Sequence, residues 1–233
     1  MNFRKRLRGL WPELQRGQAE AVHEARKLTR RAQAALRVDG GHGRARRAWR
    51  DLRRMLAPVR DWDAVGVHLR ASLVELGASP RSLQRFDAAW ARERAARWAE
   101  VQLPDKRPPY PTPGDHPKRL RRRLESDWAQ LLERAPQQLA ASDETEWHTL
   151  RKALKALRYT WELSAEPPEA LLKLLEALGR VQDAHVALAA LDHPALPARH
   201  RPALEARERA DQAAALAEAR QLWPAVAALQ LPD

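Results

Sequence analysis

Two short stretches of the chain place a histidine ahead of cationic side chains at matching intervals. Each has arginine at +3, lysine at +4 and another cation at +7 from its histidine. The first set is His23, Arg26, Lys27, Arg30 and Arg31, and the second is His148, Arg151, Lys152, Lys155 and Arg158. Arginine binds two phosphate oxygens through its planar fork, lysine adds a compact charge, and imidazole forms hydrogen bonds. These sets, called the first and second ridge below, predict surfaces that bind phosphate groups.

Each ridge requires a helix to align its side chains. At about 100° per residue, the first ridge falls within an arc of about 140°. The opposite faces are apolar and contain Val22, Ala25, Leu28, Ala32 and Leu36 in the first stretch, and Leu150, Ala153, Leu154, Leu157 and Trp161 in the second. Like charges one turn apart, such as Arg26 and Arg30, repel by about 0.2–0.5 kcal/mol per pair. A solvated basic face is the usual meaning of one such stretch, but repetition in the same register favours anion binding.

The composition of the chain is that of an all-α protein. Glycine is scarce, helix-forming residues abound, and alternating runs of β-branched residues are absent. The 233 residues suffice for a sizeable core. The stretch from Leu103 to Pro117 contains six prolines, which predicts a linker rather than a helix or strand. We therefore predict a first domain at residues 1–102, a linker at 103–117 and a second domain at 118–233.

The two halves of the chain repeat the same order of signals. Each ridge is followed at a similar distance by an aspartate, Asp61 or Asp183, which we predict to be the N-cap of a new helix. This order predicts two antiparallel bundles of about four helices each, related by an internal pseudo-twofold axis. The two ridges are then expected to face each other across a basic groove.

Capping signals predict several helix ends. One helix is expected from Pro12 to about Val38, with the proline in its first turn. Gly77 and Gly179 are predicted to end helices. Asp143, followed three residues later by Glu146, predicts a capping box at the start of the second ridge helix.

The charge of the chain predicts an acidic partner. The formal net charge is +12, carried mostly by arginine, which suits polyphosphate, nucleic acid or an anionic lipid surface. Further phosphate contacts are expected from the basic N-terminus and from the start of the helix that follows the linker. These residues are Arg4, Lys5 and Arg8, and Lys118, Arg119 and Arg122.

The sequence also indicates a compartment. Without cysteine the chain forms no disulfide, which fits a reducing, cytoplasmic environment. The N-terminus lacks the apolar run of a signal peptide, and no stretch approaches the roughly 18 apolar residues of a membrane span. We therefore expect a cytoplasmic protein, with its oligomeric state left open.

Signals for catalysis are weak. The sequence contains no glycine-rich phosphate loop, nucleophile elbow or Ser/His/Asp order typical of hydrolases. Asp61 with Asp63, and Asp183 with His185, form only weak candidate pairs of metal ligands. Helix caps or salt bridges to ridge arginines explain these carboxylates better. We expect no catalytic residue, no bound metal and no cofactor.

The order of these motifs resembles that of the CHAD family, an α-helical family named for its histidines. The resemblance rests on His-x-x-Arg-Lys-x-x-Arg-Arg at 23–31, His-x-x-Arg-Lys-x-x-Lys-x-x-Arg-Tyr at 148–159 and Leu-Gly-Arg-Val-Gln-Asp at 178–183, and it covers about residues 10–225. It implies two four-helix bundles with internal twofold symmetry. It also implies that the domain binds inorganic polyphosphate in a basic groove, without catalysis, often at polyphosphate granules.

The matched residues of the family motif are both ridges, together with Tyr159. One departure is Ala156, which stands where the first motif has Arg31. Another is that Pro58 precedes Asp61 at the place where Gly179 precedes Asp183. The first ridge is therefore expected to be the more cationic of the two.

Two other functions compete with polyphosphate binding. A nucleic-acid-binding protein would use the same charge, but the ridges lack exposed aromatic side chains apart from Tyr159, and bases need stacking platforms. RNA and DNA are therefore expected to bind more weakly than polyphosphate. A metal-dependent polyphosphate hydrolase would need a metal site, for which the sequence offers only the weak pairs named above.

Overall fold

The structure is a computed structural model that describes residues 2–111, 116–141 and 143–232. Over these ranges the chain forms nine α-helices, one 3₁₀ helix at Ala198–His200 and no strand, which confirms the predicted all-α class. The α-helices are α1 (Phe3–Gln15), α2 (Ala19–Asp39), α3 (Gly43–Met55), α4 (Ala57–Glu75), α5 (Pro80–Ala99), α6 (Pro117–Ala140), α7 (Glu144–Trp161), α8 (Glu169–Ala189) and α9 (Arg201–Ala227). None of them, within the described ranges, is long and apolar enough to cross a membrane. Residues 112–115 of the predicted linker lie outside the described ranges.

The chain forms two compact units. The first comprises Met1–Pro113 and Ala189–Glu205, and the second comprises Gly114–Leu188 and Ala206–Asp233. Residues 189–205 belong with the first unit because His193 Nε2 lies 2.7 Å from Glu93 Oε2. The predicted boundaries at 1–102, 103–117 and 118–233 followed chain order and did not anticipate this return. Those domain boundaries, the antiparallel four-helix bundles and their pseudo-twofold axis stay predictions.

The first unit is organised around α2. This helix packs against α1, α3 and α4, and α4 in turn packs against α5. Part of the predicted linker packs within this unit, since the carbonyl of Pro109 accepts a hydrogen bond from Trp49 Nε1 at 2.9 Å. The ring of Tyr110 lies 4.7 Å from that of Phe3, measured between centroids.

A glycine turn separates α1 from α2, where one helix was predicted from Pro12 to Val38. Gly17 has φ of 70° and its N–H donates to the carbonyl of Leu14, while the N–H of Gln18 donates to the carbonyl of Glu13. This is a Schellman cap, which ends α1. Pro12 lies inside α1 rather than in its first turn.

Other predicted helix ends depend on whether apolar spacing continues. Gly77 ends α4 with the same cap as Gly17, which confirms its prediction. Gly179 and Asp183 lie inside α8, because buried residues recur through them at helical spacing. Asp61 likewise lies inside α4. The predictions of a helix end at Gly179 and of N-caps at Asp61 and Asp183 were therefore wrong.

The second unit encloses a core contributed by α6, α7, α8 and α9. Leu124 and Leu131 of α6 pack there with Leu154 of α7, Leu174 of α8 and Ala219 of α9. Asp143 caps α7 as predicted, since its Oδ1 accepts a hydrogen bond from the N–H of Thr145 at 2.9 Å. Glu146, the expected partner in a capping box, accepts from Gln138 Nε2 at 3.0 Å.

A tryptophan pair fixes α4 against α5. The rings of Trp62 and Trp90 are stacked with centroids 3.8 Å apart, and each indole N–H donates to the other residue's backbone carbonyl. Gly66 lies beneath this pair, because a Cβ placed there would come within 2.3 Å of Trp90 Nε1. The pair thereby sets the position of the α4 residues that reach the first ridge.

Replacing Gly66 by alanine should lower the melting temperature, although alanine normally favours a helix interior. The added methyl group would force the tryptophan pair apart, and overpacking of this kind costs about 1–3 kcal/mol. Gly9→Ala is the matched control, because nothing lies within 4 Å of a Cβ at Gly9. The Gly9→Ala variant should have a free energy of unfolding higher by up to about 1 kcal/mol. Thermal unfolding followed by circular dichroism measures both variants, and equal stabilisation would contradict the packing of Gly66.

Candidate functional site

The helix of the first ridge buries the face that the sequence predicts. Val22, Ala25, Ala32 and Leu36 are fully buried on α2, and Leu28 nearly so. This packing turns the ridge residues away from the core, and all five are half-buried rather than fully exposed. Neighbouring helices therefore flank the ridge on both sides and divide it into two rows.

One row of the first ridge faces α1. Lys27 and Arg31 line a recess of about 220 Å³ together with Arg6 and Glu24, and its remaining lining residues are Gly9, Leu10 and Leu28. Lys27 Nζ donates to Glu24 Oε1 at 2.6 Å, and this hydrogen bond lowers the pKa of the Glu24 carboxyl below its ordinary value. On this side of α2, a carboxylate therefore offsets part of the cationic charge.

Arg6 was not among the predicted site residues. Its neighbours on α1, namely Arg4, Lys5 and Arg8, were proposed, and the structure places them in exposed positions on that helix. The buried face of α1, set by Phe3, Leu7 and Trp11, indicates which arginine flanks α2. This spacing, considered together with the packing of α1 on α2, could have identified Arg6 as a residue beside the first ridge.

The other row of the first ridge faces α3 and α4. Arg26 Nη1 lies 3.1 Å from Asp61 Oδ1, and the Arg26 side chain is only 12% exposed. The pKa of Arg26 is lowered by burial, and the negative charge of Asp61 only partly opposes this shift. Asp61 is thus a partner of a ridge arginine, as one interpretation of the sequence proposed. Its neighbour Asp63 is held by Arg94 Nε at 2.6 Å.

His23 receives a hydrogen bond from a cation. Arg60 Nε donates to His23 Nδ1 at 2.8 Å. Because a guanidinium group only donates, Nδ1 is the acceptor and the proton of the neutral ring lies on Nε2. Burial lowers the pKa of His23 from 6.5, and the charges of Arg60 and Lys27 lower it further against smaller opposing effects of Glu20 and Glu24. The ring therefore presents an uncharged N–H donor beside the two cation rows.

The second ridge begins in a recess of α7 and α8. This recess has a volume of about 310 Å³, and its polar lining includes His148, Arg151, Gln182, His185 and Glu144. His185 Nδ1 lies 2.6 Å from Glu144 Oε2. The recess is also lined by Thr145, Trp147, Leu178, Val181 and Gln212. It brings together the histidine and the first arginine of the ridge.

His148 has the opposite hydrogen-bond role to His23. Its Nδ1 contacts Gln182 Oε1, and because an amide oxygen only accepts, Nδ1 donates. Arg60 and Gln182 each precede the aspartate that follows a ridge in the repeat. The two residues were missed by the sequence interpretation, although aligning the two halves on Asp61 and Asp183 would have paired them.

The second ridge is only partly exposed along its length. Lys152 is exposed, whereas Arg151 and Lys155 are half-buried. Arg158 Nε donates to Glu162 Oε1 at 2.8 Å, and its guanidinium carbon lies 5.0 Å from the centroid of Tyr159. Tyr159 is only 6% exposed, although the helical wheel places it within the polar arc. Its burial favours a supporting role beneath Arg158, and its phosphate contact stays a prediction.

The remaining candidate residues lie on α6 and near the carboxylate pairs. Lys118, Arg119 and Arg122 are exposed in the first turns of α6, and their part in binding stays a prediction. Within the described ranges, no group of three or more histidine, aspartate or glutamate side chains is placed to hold a metal ion.

Comparison with known proteins gives a family and a fold. The family model described as the CHAD domain matches residues 2–170. No curated protein matches the chain. Among solved structures, PptA from Streptomyces chartreusis is 21% identical, with a TM-score of 0.61, covering 95% of this chain and 96% of that chain. At this identity the similarity to PptA shows a shared fold.

The hydrogen bond from Arg60 predicts how the free protein responds to acid. Between the lowered pKa of His23 and 6.5, the unfolded chain binds more protons than the native one, so native stability falls as pH decreases through that window. Arg60→Gln should raise the pKa of His23 towards 6.5 and weaken this acid sensitivity. NMR titration of the His23 ring measures the change. Arg70→Gln removes a charge from α4 beside Asp87 and should leave the His23 titration unchanged; the same titration in both variants would contradict the contact.

Proposed function

The chain belongs to the CHAD family, and we propose that it binds inorganic polyphosphate through its two ridges as a non-catalytic module. The observation that carries this proposal is one arrangement found in both compact units. In each, a ridge histidine contacts a side chain from a later helix, Arg60 or Gln182, beside an arginine at +3 and a lysine at +4. A chance surface pattern would not recur with its supporting contacts.

Linked phosphates suit these ridges better than nucleic acid does. A polyphosphate chain carries charge on every unit and presents oxygen acceptors without bases. The ridges supply guanidinium forks, ammonium groups and imidazole, all of which bind such oxygens. Tyr159, which follows the last residue of the second ridge, is buried, so it offers no stacking platform to a base.

Binding is also favoured over hydrolysis. Two carboxylates considered as metal ligands, Asp61 and Asp63, are engaged by Arg26 and Arg94. Asp61 thereby holds a ridge arginine in place for an anionic ligand. A cytoplasmic location with association at polyphosphate granules forms part of the same proposal. Convergence of both ridges on one ligand stays a prediction of the sequence.

Neutralising one arginine and one lysine on each ridge should abolish tight binding. The variant is Arg26→Gln, Lys27→Gln, Arg151→Gln and Lys152→Gln combined. Removing each charge-assisted hydrogen bond costs about 1 kcal/mol or more, so affinity for long-chain polyphosphate should fall by about 100-fold or more. Fluorescence anisotropy with labelled polyphosphate measures the decrease, and circular dichroism checks that helicity is retained.

The control removes the same charge from exposed positions on α5 and α6. Arg81, Arg85, Arg92 and Arg134 are exposed there, and their replacement by glutamine should weaken binding only slightly. If both quadruple variants lost affinity equally, total charge rather than the ridges would explain binding.

RNA should displace labelled polyphosphate only weakly from the wild-type protein. The ridges expose no phenylalanine, tyrosine or tryptophan ring on which a base can stack, whereas every phosphate of a polyphosphate chain remains available to them. The measurement is a competition titration at fixed ionic strength, because affinities for polyanions fall steeply with salt. Efficient displacement by RNA would instead favour a nucleic-acid-binding function.

A further inference from the structure

Arginines are also concentrated on α3, outside the two ridges. This helix of 13 residues has one acidic residue, Asp51. Its arginines are Arg44, Arg46, Arg47, Arg50, Arg53 and Arg54. Trp49 and Leu52 are buried, so they fix which face of α3 meets the core.

Two of these arginines lie beside the row of the first ridge that faces α3 and α4. Arg50 and Arg53 are three residues apart, which places them on one side of α3. α3 packs against α2, and both arginines are half-buried. We define the arginine seam as Arg26, Arg30 and Arg37 of α2 with Arg50, Arg53 and Arg54 of α3.

The seam concentrates like charge where solvent screening is reduced. Burial lowers the pKa of Arg53, and the cations Arg30, Arg54, Arg37 and Arg50 lower it further, in that order. Every charge named as acting on Arg53 is therefore positive. Arg50 Nε is buried and makes no hydrogen bond within the described ranges, and Asp51 Oδ1 lies 3.6 Å from it.

Two arginines of α5 are each paired with a carboxylate. Arg94 contacts Asp63 at 2.6 Å, and Arg97 contacts Glu93 at 2.7 Å. Within the seam, Arg26 contacts Asp61, whose side chain is 67% exposed, and Arg50 Nε lies 3.6 Å from Asp51 Oδ1, a longer contact than either pair on α5. Seam arginines that repel one another are costly in the free protein, and a bound polyanion would relieve that cost.

We propose that the arginine seam is the main binding track of the first unit, where a run of linked phosphates lies along α2 and α3. This rests on the proposed function and adds α3 to the site. The recess on the α1 side of α2 is the less favourable path, because Glu24 already pairs with Lys27 there. The ligand class is the phosphoanhydride chain of inorganic polyphosphate, whose successive charges match successive guanidinium groups.

The test compares two double variants of the first unit. Arg50→Gln with Arg53→Gln removes two seam charges from α3, and Arg81→Gln with Arg85→Gln removes two exposed charges from α5. The seam variant should bind long-chain polyphosphate at least about tenfold more weakly than the control variant. Its plot of log affinity against log salt should be shallower by about two, because each phosphate that a seam arginine no longer neutralises reduces the slope by about one.

A second readout separates binding from a structural role. Because seam arginines repel one another, the seam variant should melt at a higher temperature than the wild type while binding more weakly. Arg50→Lys with Arg53→Lys keeps the charge and removes the planar fork. This lysine variant should retain the salt dependence and lose part of the affinity, and it provides the test if the glutamine variant fails to fold.

The outcomes distinguish the two proposals. If the wild-type protein binds polyphosphate and the seam and control variants have equal affinities, the seam proposal is wrong and the proposed function of the ridges stands. A seam variant that melts lower and keeps the wild-type salt dependence would assign Arg50 and Arg53 to packing and also overturn it. Failure of the wild-type protein to bind polyphosphate would overturn the proposed function itself.

Discussion

The fold of the first unit depends on a balance at α2. Burial of its apolar face stabilises the helix, and repulsion between the cations on its other face destabilises it. Fully burying a side chain such as Val22 or Leu36 contributes about 1.5–3 kcal/mol. Each pair of like charges one turn apart costs about 0.2–0.5 kcal/mol. Several buried residues therefore outweigh the repulsion, provided that α1, α3 and α4 remain packed on α2. The cations of α2 can stay close together because the opposite face of the helix is packed against its neighbours.

The two units use the same arrangement with opposite hydrogen-bond roles at the histidine. Arg60 donates to His23, which leaves a proton on Nε2 of the neutral ring. Gln182 accepts from His148, so a neutral His148 ring would present Nε2 as an acceptor. The neutral ring of His23 can therefore donate a hydrogen bond from Nε2 to phosphate, whereas the Nδ1 proton of His148 is already engaged by Gln182. One substitution in the repeat makes the two sites chemically different.

Helical periodicity predicted the class of fold and the buried face of the first ridge helix, because each depends on one stretch of sequence. On the second ridge helix, Tyr159 is buried although it falls within the polar arc, and Ala153 is exposed although it falls on the apolar side. The glycines show where such reasoning stops. Gly17 and Gly77 both end helices with positive φ, while Gly179 remains inside α8. The difference lies in whether buried residues continue on the far side of the glycine, and a capping signal alone does not contain that information. The residues that precede Asp61 and Asp183 each contact a ridge histidine, although both aspartates are helix-interior residues rather than caps.

Residues that complete a site from another helix were harder to predict for a related reason. A helical wheel shows which side chains share a face, but not which neighbouring helix lies beside that face. The net charge of +12 does not show which arginines are available to a ligand. Arg97 on α5 is paired with a carboxylate, whereas Arg53 on α3 lies among cations. Proteins keep such locally unfavourable clusters mainly where function requires them. The packing of α3 on α2, rather than the composition of either helix, is what identifies the arginines that a polyanion would stabilise.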